Sequence, residues 1–178
     1  SDRLHFFKYH DVELLRTFAA QTAIVLENSK LLYQSMQAAH LQKEIEIAAG
    51  IQKALLPKQI PEVPGYDIAA VNHSSLAVGG DLYDFLPISD HELGVAIGDV
   101  SGKGIPGAVL MASLYSTFRG LTRQSGPPNK VLKDLNESIY NHTEPDKFAT
   151  FFYGVLDFSN GEFLYSNAGH NPPILLST

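Results

Sequence analysis

The sequence predicts an α+β fold, a mixed sandwich in which helices cover an antiparallel sheet, preceded by one long helix. Residues 11–56 contain no proline and a single glycine, Gly50, and they carry apolar residues at helical spacing. Short β-rich segments follow, then two helical segments, and then further β-rich segments. This order of elements is typical of helices packed on a sheet built from strands on both sides of the helix pair.

The long helix carries two apolar stripes. The first follows a 3-4 step that favours a coiled coil, with weaker residues at Thr22, Ser29 and Lys43; its apolar members are Leu15, Phe18, Val25, Leu32 and Ala39. The second is offset and indicates a stutter, a kink near Gly50 or two consecutive helices; its members are Leu41, Ile45, Ala48, Gln52 and Leu55. Because such a helix cannot bury its stripe alone, we expect a homodimer through this segment.

The remaining elements follow from turn residues and periodicity. Pro57, Pro61 and Pro64 end the long helix, because proline lacks an amide donor and restricts the residue before it. The predicted strands span residues 66–71, 82–88, 93–97, 149–158, 161–167 and 173–176, and the predicted helices span residues 103–124 and 128–142. Turn residues at 159–161 predict a hairpin.

Composition restricts the possible partners. The net charge is −6 and the pI is near 5.6, so the surface offers no basic field for nucleic acid. The absence of cysteine excludes disulfides, thiol nucleophiles and zinc–thiolate sites. No apolar segment approaches the roughly 18 residues that cross a bilayer, and the N-terminus lacks the form of a signal peptide. We therefore expect a cytoplasmic protein with neither a nucleic-acid nor a membrane partner.

Two aspartates are the main candidates for a functional site. Asp81 and Asp99 each stand beside glycines at a predicted strand end, and a buried hairpin can bring them together. Mg²⁺ and Mn²⁺ prefer oxygen ligands, so carboxylates at the tips of adjacent strands suit them. The alternative is that Asp99 and Ser101 cap the following helix while Gly79 and Gly80 form a turn. The local sequence leaves both interpretations open.

The glycines around Lys103 do not form a phosphate-binding loop. That motif requires glycine where the chain has Ile97 and serine or threonine where it has Gly104. We therefore exclude nucleotide binding through a P-loop.

Four ordered segments carry a family signature. They are residues 44–57 (EIEIAAGIQKALLP), 78–84 (VGGDLYD), 98–104 (GDVSGKG) and 167–173 (NAGHNPP). Together they resemble the SpoIIE/RsbU branch of the type-2C (PPM) metal-dependent serine/threonine protein phosphatases. The resemblance implies a type-2C phosphatase-like β-sandwich flanked by helices, of which residues 57–178 would be the N-terminal two-thirds.

The resemblance also implies a chemistry. A binuclear Mn²⁺ or Mg²⁺ centre would hydrolyse phosphoserine or phosphothreonine on a regulatory protein, such as an anti-sigma-factor antagonist, in bacterial signalling. On the matching positions, Asp99 would bridge both ions, Asp81 would bind the second, and the Val100 carbonyl would complete its shell. A bridging hydroxide would attack phosphorus in line without a covalent enzyme intermediate.

Three other polar residues in these segments are expected to support the structure. Asp84 is expected to lie outside the metal shell. His170 could act as the general acid for the leaving oxygen, but we favour a tight turn in which its imidazole bonds the backbone. Asn167 is likewise expected to be a turn residue rather than a ligand.

The chain departs from the family pattern at its end. Members of the branch complete the centre with aspartates downstream of residues 167–173, and the chain ends at Thr178 before them. We therefore expect the domain to continue in a longer, active phosphatase and the 178-residue chain to be nearly inactive. The rival interpretations are a phosphatase-like binding module without catalysis and a purely structural dimerisation fragment.

The N-terminal segment resembles a connection from a sensor. Residues 11–28 are similar to the closing helix of a GAF domain, so residues 1–10 would be a remnant of that domain and residues 11–56 a linker and dimerisation helix. We hypothesise that dimerisation through this helix controls whether the turn at residues 79–80 presents Asp81 to the metal.

Overall fold

The structure, a computed structural model, describes residues 8–73, 77–124 and 126–176. Within these ranges the elements are α1 (Tyr9–Leu55), β1 (Leu82–Pro87), β2 (Glu92–Val100), α2 (Ile105–Thr122), α3 (Pro128–His142), β3 (Ala149–Asp157) and β4 (Glu162–Ala168). The predicted pair of helices between an earlier and a later group of strands is confirmed, with two strands in each group instead of the three predicted. No helix in the described part of the chain combines the length and apolar character needed to cross a membrane.

α1 is one uninterrupted helix that passes through Gly50, so the interpretation as two consecutive helices is wrong. The chain divides into two compact units, Ser1–Glu44 and Ile45–Thr178, and the boundary lies inside α1. From residue 45 onward the second stripe is the half-buried face of the helix, formed by Ile45, Ala48, Gln52 and Leu55. The functional division into residues 1–10, 11–56 and 57–178 stays a prediction, and residues 1–7 lie outside the described ranges.

The four strands form one antiparallel sheet in the order β1-β2-β3-β4. One face of this sheet, here called the inner face, packs against α2 and α3 to form the hydrophobic core. The core consists of Leu82, Leu86, Ala96, Val100, Phe151 and Tyr153 from the strands and Met111, Leu114, Tyr115, Phe118, Val131, Leu132 and Leu135 from the helices. Side chains alternate between faces along a strand, so the neighbouring residues lie on the opposite, outer face.

The outer face is apolar and partly exposed. Phe152, Phe163 and Tyr165 contact one another there through their rings, and Ile97 is 45% exposed. A groove of about 940 Å³ runs along this face and reaches Asp81 and His170. The described residues thus provide one sheet and the helical layer of the predicted sandwich.

Two predicted strands are wrong. In residues 66–71 only Tyr66 takes part in a β-bridge, with Val63, and the following residues line the outer-face groove instead of joining the sheet. Residues 173–176 are also irregular, and Ile174 is 87% exposed. Pro172 and Pro173 begin that segment, and proline has no amide hydrogen to donate to a neighbouring strand.

The hairpin predicted at residues 159–161 is confirmed. It links β3 and β4, and Gly161 has a φ of 80°, a conformation that favours glycine. The side chains of Asp157 and Asn160 accept hydrogen bonds from nearby backbone amides, which fixes the turn.

Candidate metal centre

Asp81 and Asp99 meet on the outer face of the sheet. β1 and β2 are antiparallel with Leu82 opposite Gly98, so the register places Asp81, one residue before β1, opposite Asp99. Asp99 pairs in turn with Thr150 on β3. β2 extends to Val100, so Asp99 lies inside this strand rather than at the end that was predicted. The predicted convergence of the two carboxylates is confirmed.

The two carboxylates repel each other at this position. Partial burial raises the pKa of Asp81 above its ordinary value, and the negative charge of Asp99 and a hydrogen bond with its side chain raise this pKa further. The charge of His170 acts in the opposite direction and lowers the pKa. Because like charges held together disfavour ionisation, a divalent cation bound to both carboxylates would relieve the repulsion.

Gly80 leaves room for the Val100 carbonyl beside the Asp99 carboxylate. A Cβ built on Gly80 would collide with the Val100 oxygen and would lie 3.2 Å from Oδ1 of Asp99. Any other residue type would therefore occupy the space beside these oxygen atoms. Two carboxylates and a carbonyl are the hard oxygen donors that Mg²⁺ and Mn²⁺ prefer, so the donor set fits such an ion.

The donor set is small. Within the described ranges, no group of three or more histidine, cysteine, aspartate or glutamate side chains is arranged to hold a metal ion. Mg²⁺ in proteins commonly keeps several waters and is held by one or two carboxylates, which is the number available here. The roles of Asp81, Asp99 and Val100 as metal ligands stay a prediction.

His170 is fixed beside the carboxylates by a hydroxyl group. Its Nδ1 lies 2.9 Å from the Thr150 hydroxyl, which is also 3.5 Å from the backbone carbonyl of Asp99. The expectation that the imidazole bonds the backbone is therefore wrong. Thr150 was missed at the sequence level because no local motif marks it, and only the pairing of β2 with β3 brings it next to Asp99.

Asn167 stabilises a turn, as predicted. Its Oδ1 accepts a hydrogen bond of 2.8 Å from the His170 amide, and its Nδ2 donates one of 3.0 Å to the His170 carbonyl. Gly169, inside the turn, has a φ of 74°. The side-chain amide of Asn167 is thus used for the turn, which sets the direction of the chain at His170.

The helix-capping alternative for Asp99 and Ser101 is wrong. Gly104 precedes α2 and the N-terminus of this helix has no side-chain cap. Ser101 instead bonds Phe148, with its amide donating to the Phe148 carbonyl and its hydroxyl accepting from the Phe148 amide. These two hydrogen bonds join the residue just after β2 to the residue just before β3.

Asp84 supports the fold rather than the site, as expected. It lies on the inner face, is fully buried, and forms two hydrogen bonds with Arg119 of α2, at 2.7 Å and 2.8 Å. Its Oδ1 also accepts from the Phe85 amide. Arg119 was missed at the sequence level, although it is the single charged residue of α2 and a lone charge in an apolar helix suggests a buried partner.

A family model described as Stage II sporulation protein E (SpoIIE) matches residues 89–178, about half of the chain. The chain belongs to the SpoIIE family. The phosphoserine phosphatase RsbU of Bacillus subtilis is 35% identical over 133 residues, which cover 74% of this chain and 39% of RsbU. The phosphoserine phosphatase RsbP of the same organism is 32% identical over 136 residues, which cover 74% of this chain and 34% of RsbP.

The fold of the SpoIIE-family chain also resembles that of a solved phosphatase-type domain. The SiaA-PP2C domain of Pseudomonas aeruginosa superposes with a TM-score of 0.62 at 15% sequence identity, covering 72% of this chain and 54% of that domain. The predicted type-2C fold class and the SpoIIE/RsbU branch are therefore confirmed. The chain spans well under half the length of the curated relatives that it matches, namely 28% to 39%.

Proposed function

We propose that the protein is a cytoplasmic, metal-dependent phosphatase that hydrolyses phosphoserine or phosphothreonine on a regulatory protein in bacterial signalling. The observation that carries this proposal is the contact between Asp81 and Asp99 beside the Val100 carbonyl. Membership of the SpoIIE family and similarity to two phosphoserine phosphatases support it. A phosphorylated anti-sigma-factor antagonist is the substrate that the family resemblance favours.

The chain's own residues would hold and orient the metal centre. Asp81, Asp99 and the Val100 carbonyl would be ligands of Mn²⁺ or Mg²⁺. When bound, such ions acidify a water for attack on phosphorus and offset the charge on the phosphoryl oxygens. The β1–β2 pairing places Asp81, one residue before β1, opposite Asp99, so that both carboxylates face the same space before an ion binds. Thr150 bonds the imidazole of His170, and His170 lines the same groove as Asp81.

We further propose that the first unit dimerises with a second copy of the chain. In this unit the apolar stripe is exposed, with more than half of each side chain accessible at Leu15, Phe18, Val25, Leu32 and Met36. Met36 continues the 3-4 step and was missed at the sequence level. A second helix in register would bury this stripe. A GAF-like sensor before the helix and control of the metal site through it belong to the same proposal.

Substitution of the two carboxylates tests the enzymatic proposal. We expect Asp81→Asn and Asp99→Asn, made in the full-length protein, to lower kcat/KM for a phosphoserine regulatory protein by about 100-fold or more in Mn²⁺. Each variant should also weaken Mn²⁺ binding in calorimetry. Asp90→Asn, which changes an exposed carboxylate near the β1–β2 turn, is the matched control and should behave as the unsubstituted protein. Unchanged hydrolysis by Asp81→Asn and Asp99→Asn would refute the proposal.

A further inference from the structure

Gln52 bonds both backbone polar groups of a single residue near the candidate metal centre. Gln52 lies in the last turns of α1, within the unit Ile45–Thr178. Its Nε2 donates to the Gly79 carbonyl at 2.5 Å, and its Oε1 accepts from the Gly79 amide at 3.0 Å. One half-buried side chain therefore fixes the backbone on both sides of Gly79.

Gly79 lies two residues before Asp81, a candidate metal ligand. Gly79 is followed by Gly80, which is buried against the Val100 carbonyl, and then by Asp81. Two successive glycines have more conformational freedom than any other pair of residues, so the backbone before Asp81 would sample many conformations unless it were anchored. β1 begins only at Leu82, so its pairing with β2 does not by itself fix Gly79.

Glutamine suits this contact because a carboxamide has a donor and an acceptor on the same rigid group. Glutamate could accept from the Gly79 amide but could not donate to its carbonyl. Methionine has a similar length and can fill the same space, but it forms neither strong hydrogen bond. The chemistry of the side chain and its packing can therefore be separated by substitution.

We propose that Gln52 is a positioning residue that anchors Gly79 and thereby holds Asp81 opposite Asp99 for a divalent cation. This inference rests on the proposed function, because it assumes that Asp81 is a metal ligand. Gln52 does not touch the cation or the substrate. It restricts the backbone before the ion binds, so that less conformational entropy is lost on binding.

Three variants of the full-length protein test this role. Gln52→Met removes both hydrogen bonds and keeps the volume, Gln52→Glu keeps the acceptor alone, and Gln37→Met removes a carboxamide elsewhere on α1, where it bonds the Tyr33 hydroxyl. Mn²⁺ affinity is measured by calorimetry at 25 °C, and exchange of the Gly79 amide hydrogen is measured by NMR without metal. Thermal unfolding shows that each variant is folded at the temperature of the titration.

We expect Gln52→Met to weaken Mn²⁺ binding by about tenfold, as loss of a residue that orients a metal ligand commonly does. Exchange of the Gly79 amide should become faster in the same variant. Gln52→Glu should lie between Gln52→Met and the unsubstituted protein in amide exchange, and Gln37→Met should change neither measurement. A Mn²⁺ affinity of Gln52→Met within about twofold of the unsubstituted protein, or an unchanged rate of Gly79 exchange, would overturn the inference.

Failure of the inference can be distinguished from failure of the proposed function. If Asp81→Asn abolishes Mn²⁺ binding while Gln52→Met binds normally, only the positioning role is wrong. If the unsubstituted protein binds no Mn²⁺ and Asp81→Asn hydrolyses the phosphoprotein normally, the proposed function is wrong and the positioning role falls with it.

Discussion

The buried ion pair between Asp84 and Arg119 should respond asymmetrically to substitution. The Asp84 side chain is 0% exposed, whereas the Arg119 side chain is 40% exposed. Arg119→Met therefore leaves a buried carboxylate without its partner, while Asp84→Asn leaves a guanidinium that water can still reach. Because an unpaired charge is costly only where it cannot be solvated, Arg119→Met should be the more damaging change.

The size of the effect follows from the burial of the carboxylate. Removal of one partner from a buried ion pair costs about 3–5 kcal/mol. Asp84→Asn keeps an oxygen that can accept from the Phe85 amide, so its cost should be about 1–2 kcal/mol. Arg119→Met should therefore cost more stability than Asp84→Asn.

Urea unfolding at pH 7 measures both costs. The near-ultraviolet circular dichroism of tyrosine reports on the core, where Tyr115 and Tyr153 are buried. Arg123→Met, which changes an exposed arginine next to the end of α2, is the matched control and should shift the unfolding free energy by less than about 0.5 kcal/mol. A loss of stability for Asp84→Asn that equals or exceeds the loss for Arg119→Met would refute this reasoning.

Three other predictions concern the metal centre and the first unit. Gly80→Ala should lower stability by about 1–3 kcal/mol in urea unfolding and weaken Mn²⁺ binding, because its Cβ would collide with the Val100 carbonyl; normal Mn²⁺ affinity would contradict this. The raised pKa of Asp81 means that its contribution to stability is complete below the ordinary value of 3.8 and is lost as pH rises through the folded-state pKa. Metal-free Asp81→Asn should therefore melt above the unsubstituted protein at pH 7, with a difference that shrinks toward pH 4, and equal melting temperatures throughout would contradict this. Phe18→Asp should convert a dimer into a monomer in sedimentation velocity, and a monomeric unsubstituted protein would refute the proposed dimer.

The sequence predicted the elements well where local signals determine them. α3 has the predicted bounds Pro128–His142, because a proline begins it and its apolar residues have helical spacing. The hairpin at residues 159–161 likewise follows from turn residues that lie next to each other. Residues 66–71 were misassigned because their apolar side chains line a groove, and an apolar pattern does not distinguish packing on a sheet from pairing within it.

The site was predicted only in part, because its contacts join distant parts of the chain. Asp81 and Asp99 stand in glycine-rich segments and could be selected from the sequence. Thr150 depends on the pairing of β2 with β3, which connects residues 51 positions apart. The bond between Gln52 and Gly79 spans 27 positions, and that between Arg119 and Asp84 spans 35. No periodicity within one element specifies such pairs.

Asp81 and Asp84 show how one short segment provides both a binding group and a structural group. Their separation of three residues places them on opposite faces of the sheet, since side chains alternate along a strand. On the inner face the charge of Asp84 is compensated permanently by Arg119. On the outer face Asp81 lies against another carboxylate, and its charge is favoured only by His170 among the influences that the described residues exert on its pKa. A carboxylate whose compensation is built into the fold stabilises the protein, whereas one left beside a like charge gains most from an external cation. We therefore infer that Asp81 binds the divalent cation and that Asp84 stabilises the sheet that carries Asp81.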